Sequence, residues 1–511
     1  MLVSRRRFVS LAASGAGLGS IVRAAVAARP RPKLVVLLIV EQFRSDYLDL
    51  FGNFLPPGGF RRLMEEGAYF PECQMAATTF TSGGLATLST GSYPQLHGII
   101  ADSWYDRAAR KPVPAQPDAL QATTLAEQIA ADDSSNRIFA LALDSRNATL
   151  LTGRAPASLF HRDATGRFMA RGKPENADWL ANFNQINPPE NYRNQGWFAL
   201  GRKPDTPPLR TLRYDEAHPE DFLALYWSSW FGQKSQMDLA QQVVLNEKLG
   251  QGPGIDLLAV ALGSSALLGY EVGADSPLMR ELVLHLDQDI QSFLSFLDKI
   301  LGFRNYTFAF TGAHGLTRDP DGQRSALAIS GETVARAISQ ALSARYDLKG
   351  RRSQYVERYL YPFLYLRLAE LQRDYIDLRE ARVLAGQAAL GVRGVTGFYT
   401  VDGDCSHSGD WKRRFSNSFH AVRSGDLMLA YGPEYVEDYG QGRGISYGSL
   451  FNYDTRVPLI FYGSPFETQV FETTVESPDL APTLARVTGT SWPSSTTGRV
   501  LGEALISAAE A

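Results

Sequence analysis

Apolar residues along this chain follow two repeats that take turns. Unbroken runs rich in Val, Leu, Ile and Phe recur at Lys33–Ile39, Arg137–Leu143, Ile255–Gly263, Thr307–Thr311, Asp426–Tyr431 and Val457–Tyr462. Runs of this length without polar alternation predict strands buried on both faces, as parallel strands are. Helical spacing predicts helices at Phe60–Glu66, Ser82–Ser89, Asp238–Leu249, Leu278–Leu301, Val334–Tyr346 and Leu480–Val487. Gly67 and Gly91 stand as stop residues, and Thr81 stands at the start of the second helix. Strands alternating with helices predict an α/β fold, a mostly parallel central sheet with helices on both faces. Residues 31–146, 236–320 and 425–511 carry that alternation and are expected to form one core in three parts. Residues 147–235 and 321–424 have weak periodicity and are expected as two parts of an inserted cap lobe. Ligands of open α/β sheets gather at the carboxyl ends of the strands. That directs attention to Glu41, the loop after Gly263, and Ala313-His314.

Composition narrows the class. The chain has 511 residues, 44% hydrophobic and 21% charged, which excludes a disordered chain, a coiled coil and a collagen-like rod. No apolar run reaches the ~20 residues that span a bilayer, so no transmembrane span is expected beyond a leader. Lys and Arg number 51 against 54 Asp and Glu, with no block of like charge, so no nucleic-acid partner is expected. The opening Ser4-Arg5-Arg6-Arg7-Phe8-Val9 has the twin-arginine pattern, followed by a weakly apolar stretch from Leu11 to Val22 and small residues at Ala25-Val26-Ala27. Residues 1–27 are therefore expected as a leader sending the protein to the periplasm or beyond by the twin-arginine route. Cys73 and Cys405 could pair in an oxidising compartment, but spacing alone leaves the bridge open.

Several segments, in order, resemble the alkaline phosphatase superfamily. They include VVLLIVEQFRSDYLDLF (35–51), TGSYPQLHGII (90–100), FTGAHG (310–315), YDTRVPLIFYG (453–463) and SPDLAPTLARVTG (477–489). The resemblance is to its type I phosphodiesterase/nucleotide pyrophosphatase and phosphate-irrepressible phosphatase branch, and it covers nearly the whole mature chain. It implies two divalent cations, usually zinc, at the carboxyl edge of the sheet. It also implies a Thr or Ser at a helix N-terminus that attacks phosphorus. Thr81 falls at that nucleophile position, although a Thr at a helix start also serves as a plain N-cap.

The same resemblance marks departures. Glu41 stands where the branch has an aspartate ligand, and His314 keeps a histidine whose partner aspartate is Ala313 here. The three ligands of the second cation align with Ala266, Tyr270 and Tyr447, none of which is a good donor. Asp102 replaces an asparagine that holds the phosphoryl group, and Asp144 replaces a lysine, while Arg146 is kept. Three acids around one arginine give a pocket charge of about −2, which opposes a phosphate dianion. These losses lead to two expectations. The cofactor is expected to be none, or at most one divalent cation such as zinc. The protein is expected to be a catalytically impaired pseudoenzyme with a binding or structural role, its partner an unidentified protein or small ligand. The alternative is a metal-dependent hydrolase of phosphate mono- or diesters, or sulfate esters, that uses Thr81. Elsewhere, Glu281 and His285 read as a solvated helical pair, and Asp402, Asp404 and His407 as a turn-forming loop cluster. Gly444-Ile445-Ser446-Tyr447-Gly448 spells a serine-hydrolase motif but lacks its strand and helix, so it reads as a loop.

Overall fold

The structure is a computed structural model that describes residues 31–172, 177–203, 205–317, 327–347, 353–438 and 447–506. The expected leader and residues 444–446 of the loop motif lie outside the described residues. The main strands are β1 (Leu34–Val40), β2 (Ala68–Gln74), β3 (Arg137–Ala142), β4 (Ala157–Arg162), β5 (Phe168–Arg171), β6 (Asp256–Leu262), β7 (Tyr306–Gly312) and β8 (Arg456–Gly463). They form one sheet in the order β2-β8-β7-β1-β6-β3-β4-β5, with short pieces at Gln469–Val470 and Val475–Glu476 beside β2. The centre, β7-β1-β6-β3-β4, is parallel; β8 runs antiparallel to β7 and to β2, and β5 antiparallel to β4. The α/β class with a mostly parallel sheet thus stands.

The unbroken apolar runs have a direct physical reason. All seven residues of β1 are buried, as are those of β6 and β7. Val35, Leu37 and Ile39 enter one apolar core, and Leu34, Val36, Leu38 and Val40 enter the other, because side chains alternate along a strand. Each such side chain contributes roughly 1.5–3 kcal/mol by leaving water.

The run at 426–431 belongs to a different sheet. Leu427–Tyr431 lies in a four-stranded antiparallel sheet with Phe363–Leu366, Val356–Leu360 and Val395–Thr400. All five of its residues are buried, so its run reads like that of a parallel strand. Its sheet packs on the helices Gly331–Tyr346 and Leu378–Leu390, and its apolar side chains continue the core that Val35 enters. Within 147–235, β4 and β5 extend the edge of the main sheet. Cys73 is buried, Cys405 is half-buried, and both are free thiols, which answers the open question of a bridge. Among the described residues, no helix is long and apolar enough to cross a membrane.

Six helices matter below: α1 (Thr81–Thr90), α2 (Ser145–Thr152), α3 (Trp230–Asn246), α4 (Ser264–Val272), α5 (Pro277–Ile300) and α6 (Leu480–Thr488).

Candidate active site

The register of the parallel strands assembles the site. Val40 of β1 pairs with Leu262 of β6 and with Gly312 of β7, so these three strands end level. Their continuations are tied together: Glu41 N–H donates to Leu262 O (3.0 Å), Ala313 N–H to Val40 O (3.0 Å), and Phe43 N–H to His314 O (2.8 Å). Gln42 takes a left-handed φ of 63°, a conformation uncommon outside glycine, where the chain leaves β1. Glu41, Gly263 and Ala313-His314 therefore share one edge, as strand-end reasoning predicts.

Glu41 is buried there. Its Oε1 accepts from Asn147 Nδ2 at 2.9 Å, and the Ser265 hydroxyl donates to its backbone carbonyl. Burial pushes its carboxyl up to about 8, against the Asn147 hydrogen bond, and the nearby charges of Asp102 and Asp144 add to the rise. At neutral pH this acid is mostly protonated. The site charge is then that of Asp102, Asp144 and Arg146, one unit less negative than three ionised acids give.

Thr81 opens α1. The N-cap is Phe80, in extended backbone (φ −116°, ψ 147°), and no side chain caps the helix from that position. The plain N-cap reading of Thr81 therefore fails, because its hydroxyl goes elsewhere. Thr81 Oγ1 lies 3.1 Å from His314 Nε2, and His314 Nδ1 lies 2.8 Å from the Gly315 carbonyl. A carbonyl can only accept, so Nδ1 carries the ring proton, Nε2 presents a lone pair, and the Thr81 hydroxyl donates to it. Burial depresses the imidazole to about 4 and keeps it neutral, with the Gly315 bond and Asp102 acting in the opposite direction. Gly84 is required one turn on, since a Cβ there would lie 2.2 Å from the Ala313 carbonyl.

The groups that would hold a phosphoryl oxygen are engaged internally. Asp102 Oδ1 accepts from Ser82 N–H at 2.8 Å, at the positive end of α1. Asp144 caps α2 by accepting from Arg146 N–H at 2.7 Å, and its carboxylate pairs with the Arg146 guanidinium at 3.0 Å. Although burial opposes it, this pairing holds the Asp144 carboxyl below its usual range. Arg146 is correspondingly raised by its hydrogen bond to Asp144.

The positions aligned with lost ligands lie around the same edge. Ala313 is fully buried, and the Tyr447 ring packs 4.7 Å from that of His314 and 5.7 Å from Phe80. Ala266 and Tyr270 sit on α4. Tyr270 lines a cleft of about 600 Å³ with Arg162, Trp227 and Glu271. Two cations need several N, O or S donors at ~2.0–2.3 Å. Of the acids and histidine here, Glu41, Asp102, Asp144 and His314, Asp102 is engaged by Ser82 N–H and Asp144 by Arg146, and no group of three or more His, Cys, Asp or Glu among the described residues could hold a metal ion. These side chains do not fit a pair of cations, so no chemical step is derived through one.

Other residues singled out in the sequence go elsewhere. Glu281 and His285 are not a solvated pair: both are buried. Glu281 accepts from Leu200 N–H (2.7 Å) and pairs with Arg280, while His285 stacks on Trp230 at 4.1 Å. Asp402 and Asp404 are paired with Arg382 and Arg379, and His407 stacks on Trp411, so that cluster is a set of ion pairs on turns. Three participants escaped sequence reasoning: Asn147, the Ser82 amide and the Gly315 carbonyl. Asn147 directly follows the retained Arg146, its only sequence cue, whereas backbone donors and acceptors carry none.

The sequence pattern of the family described as type I phosphodiesterase/nucleotide pyrophosphatase matches residues 35–436. The chain is 25% identical to a Myroides odoratus protein named calcium-transporting ATPase, over 93% of this chain and 95% of that one. It is 24% identical to alkaline phosphatase PhoV of Synechococcus elongatus, over 93% of each. It shares the fold of wild-type alkaline phosphatase PafA, with a TM-score of 0.81, 23% identity, and 94% of this chain and all of that one covered. Kinship with alkaline phosphatases, a metal-dependent class, overturns the expectation of no cofactor, or at most one divalent cation such as zinc, and that expectation is withdrawn. By the match over most of its length, the chain belongs to the type I phosphodiesterase/nucleotide pyrophosphatase family, a branch of the alkaline phosphatase superfamily of hydrolases.

Proposed function

We propose that this chain is an exported member of that hydrolase family in which phosphoryl transfer is strongly impaired, and that it serves mainly in binding a small ligand or protein partner. One observation carries the reading: both anion-holding groups are filled by the protein's own carboxylates, Asp102 on Ser82 N–H and Asp144 on Arg146. A phosphate dianion entering here meets Asp102 and Asp144 at close range and must displace them. Repulsion between unit charges a few ångströms apart costs about 4 kcal/mol at an effective dielectric of 20. Export by the twin-arginine route, with residues 1–27 as leader, belongs to the proposal; N-terminal sequencing of the periplasmic form tests it.

The test of function is turnover of 4-nitrophenyl phosphate and bis(4-nitrophenyl) phosphate by zinc-supplemented protein, run beside PafA. The expected result is a rate at least ~10³-fold below that relative. A comparable rate, lost in Thr81→Ala, overturns the proposal. It would establish the second reading, a metal-dependent hydrolase with Thr81 as nucleophile. The hydrogen bond between Thr81 and His314 favours that second reading, as does the name alkaline phosphatase on two of the relatives.

A further inference from the structure

Neither Thr81 nor His314 lines the cleft of about 600 Å³ beside α4. Its walls come from three elements: Arg162 at the end of β4, the helix Pro219–Trp227, and Leu267, Tyr270 and Glu271 of α4. A smaller chamber of about 340 Å³ adjoins it, since both are lined by Ala164, Glu220 and Leu223. Clefts of roughly 300–1,000 Å³ are the size that takes small organic ligands. The walls are fixed in advance. Glu271 is held by both terminal nitrogens of Arg210, at 2.8 and 2.9 Å. The Trp227 ring packs edge-on against Phe168 and Tyr226, with centroids 5.5 and 4.9 Å away.

One cation lines this cleft, and it is unpaired. Among the described residues the Arg162 guanidinium forms no ion pair or hydrogen bond, and its Nε is buried without a partner. It lies over the Trp227 ring, 6.0 Å from the centroid. Its backbone N–H donates to Leu143 O at 3.3 Å, so it stands beside the strand end that leads to Asp144. Other arginines of the fold have carboxylate partners, as Arg44 has Asp46 and Arg137 has Asp256. The acids along the cleft supply none to Arg162. Glu271 is taken by Arg210, while Glu220 and Asp221 are exposed in the first turn of their helix, where solvent screens them. A half-buried cation without a counter-charge is costly, and a ligand that brings one relieves the cost. The rest of the cleft is largely apolar. Leu223, Leu225 and Leu267 line it, and Leu267 leaves 40% of its surface to solvent. Covering such surface favours a ligand with a hydrocarbon body.

We propose that this cleft binds small amphipathic monocarboxylates, with the carboxylate on Arg162 and the hydrocarbon body along Leu223, Leu225 and Leu267. A planar carboxylate matches the fork of a guanidinium with paired N–H···O bonds. A single negative charge neutralises Arg162. A dianion brings a second charge that has no partner and faces Glu220 and Asp221. A cationic ligand leaves Arg162 unneutralised and adds to its repulsion. The inference rests on the binding role proposed above and names a ligand class for it.

The experiment titrates the full chain with octanoate, octanol and octylamine by calorimetry, three probes of one chain length that differ in head group. Wild-type protein is expected to bind octanoate saturably at one site, at least ~10-fold more tightly than either of the others, as one charge-assisted pair confers. Arg162→Gln, checked for native circular dichroism, should lose that preference and bind octanoate no better than octanol. Leu267→Asn, at an exposed position, should weaken octanoate several-fold while the preference for the carboxylate stays. No saturable octanoate binding, octylamine binding as tight as octanoate, a preference unchanged in folded Arg162→Gln, or an affinity unchanged in folded Leu267→Asn overturns the proposal. The wild-type comparison needs no variant, so it decides even where Arg162→Gln does not fold. Phosphate-ester turnover is read separately. A rate matching that of PafA overturns the impaired-hydrolase reading while octanoate binding stands, and absent octanoate binding leaves the phosphate-ester result standing.

Discussion

The two halves of the site have diverged in opposite ways. On the β7 side, Thr81, His314 and the Gly315 carbonyl form a chain of hydrogen bonds in which the Nε2 lone pair accepts from the hydroxyl. On the α2 side, Asp102 and Asp144 quench the helix amide and the arginine that would meet a phosphate. One half is poised for proton transfer; the other is self-satisfied. The contrast teaches that losing substrate-holding charge and losing nucleophile geometry are separable events within one pocket, because the partners that meet α1 come from different places, His314 from the end of β7 and the carboxylates from Asp102 and from the start of α2.

The comparison breaks most sharply at His314. Replacing it with Ala is expected to lower any Thr81-dependent phosphate-ester turnover by roughly 10²–10⁴-fold, the usual range for a positioned acid–base group. Steady-state rates at fixed pH check this, and an unchanged rate detaches the imidazole from Thr81.

The next effect is on stability against pH. Glu41 is raised from 4.5 to about 8 by burial, so the folded state holds its proton where the unfolded state has lost it. Its contribution is fully present below pH 4.5 and is lost as pH rises through 8. His314 is depressed from 6.5 to about 4 by burial, so its contribution has the opposite sign: present above pH 6.5 and lost as pH falls through 4. The two oppose each other between pH 4.5 and 6.5, and above 6.5 Glu41 still slopes the curve, with Asp289, Glu437 and Asp454, which burial raises to about 7, adding to it at the lower end. Denaturant unfolding of Glu41→Gln against wild type should lessen that slope, most visibly between pH 7 and 8, by on the order of 1.4 kcal/mol per pKa unit.

The quenched half sharpens the contrast more gently. Asp102→Asn together with Asp144→Lys exchanges two negative charges for one positive charge and frees Arg146. Inorganic phosphate affinity, followed by calorimetry, should then rise by about tenfold or more, consistent with a few kcal/mol of relieved repulsion. No gain would mean that the carboxylates do not bar the anion. The smallest effect is structural: Asp102→Ala removes the cap on Ser82 N–H and should cost about 1 kcal/mol in thermal unfolding, as lost helix caps do.

Much of this was legible in the sequence where burial is two-sided. The runs that became β1, β6 and β7 announced themselves because every side chain enters a core. The run at 426–431 looked the same and belongs to the smaller antiparallel sheet, since total burial hides strand direction. The outer strand pair β4 and β5 carries polar residues such as His161 and Arg171, which dilute its pattern. Strand-end reasoning brought Glu41 and His314 to one edge, and the resemblance brought Thr81 beside them. What those residues touch was not legible. The partners are a backbone amide, a backbone carbonyl and a lone asparagine, which differ from their neighbours only once the chain is folded. Glu281 and His285 were misread for a related reason. The helix α5 that carries them is covered by Trp230 and by the segment around Leu200, far away in sequence.

The central claim is that the Thr81 hydroxyl belongs to His314 while carboxylates occupy the anion-holding groups. Crystals grown with zinc and phosphate test it most directly. The account predicts Thr81 Oγ within hydrogen-bond distance of His314 Nε2, Asp102 still on Ser82 N–H, and no phosphate over α1. Phosphate seated on Ser82 N–H and Arg146, with Asp102 and Asp144 displaced from them, would contradict it.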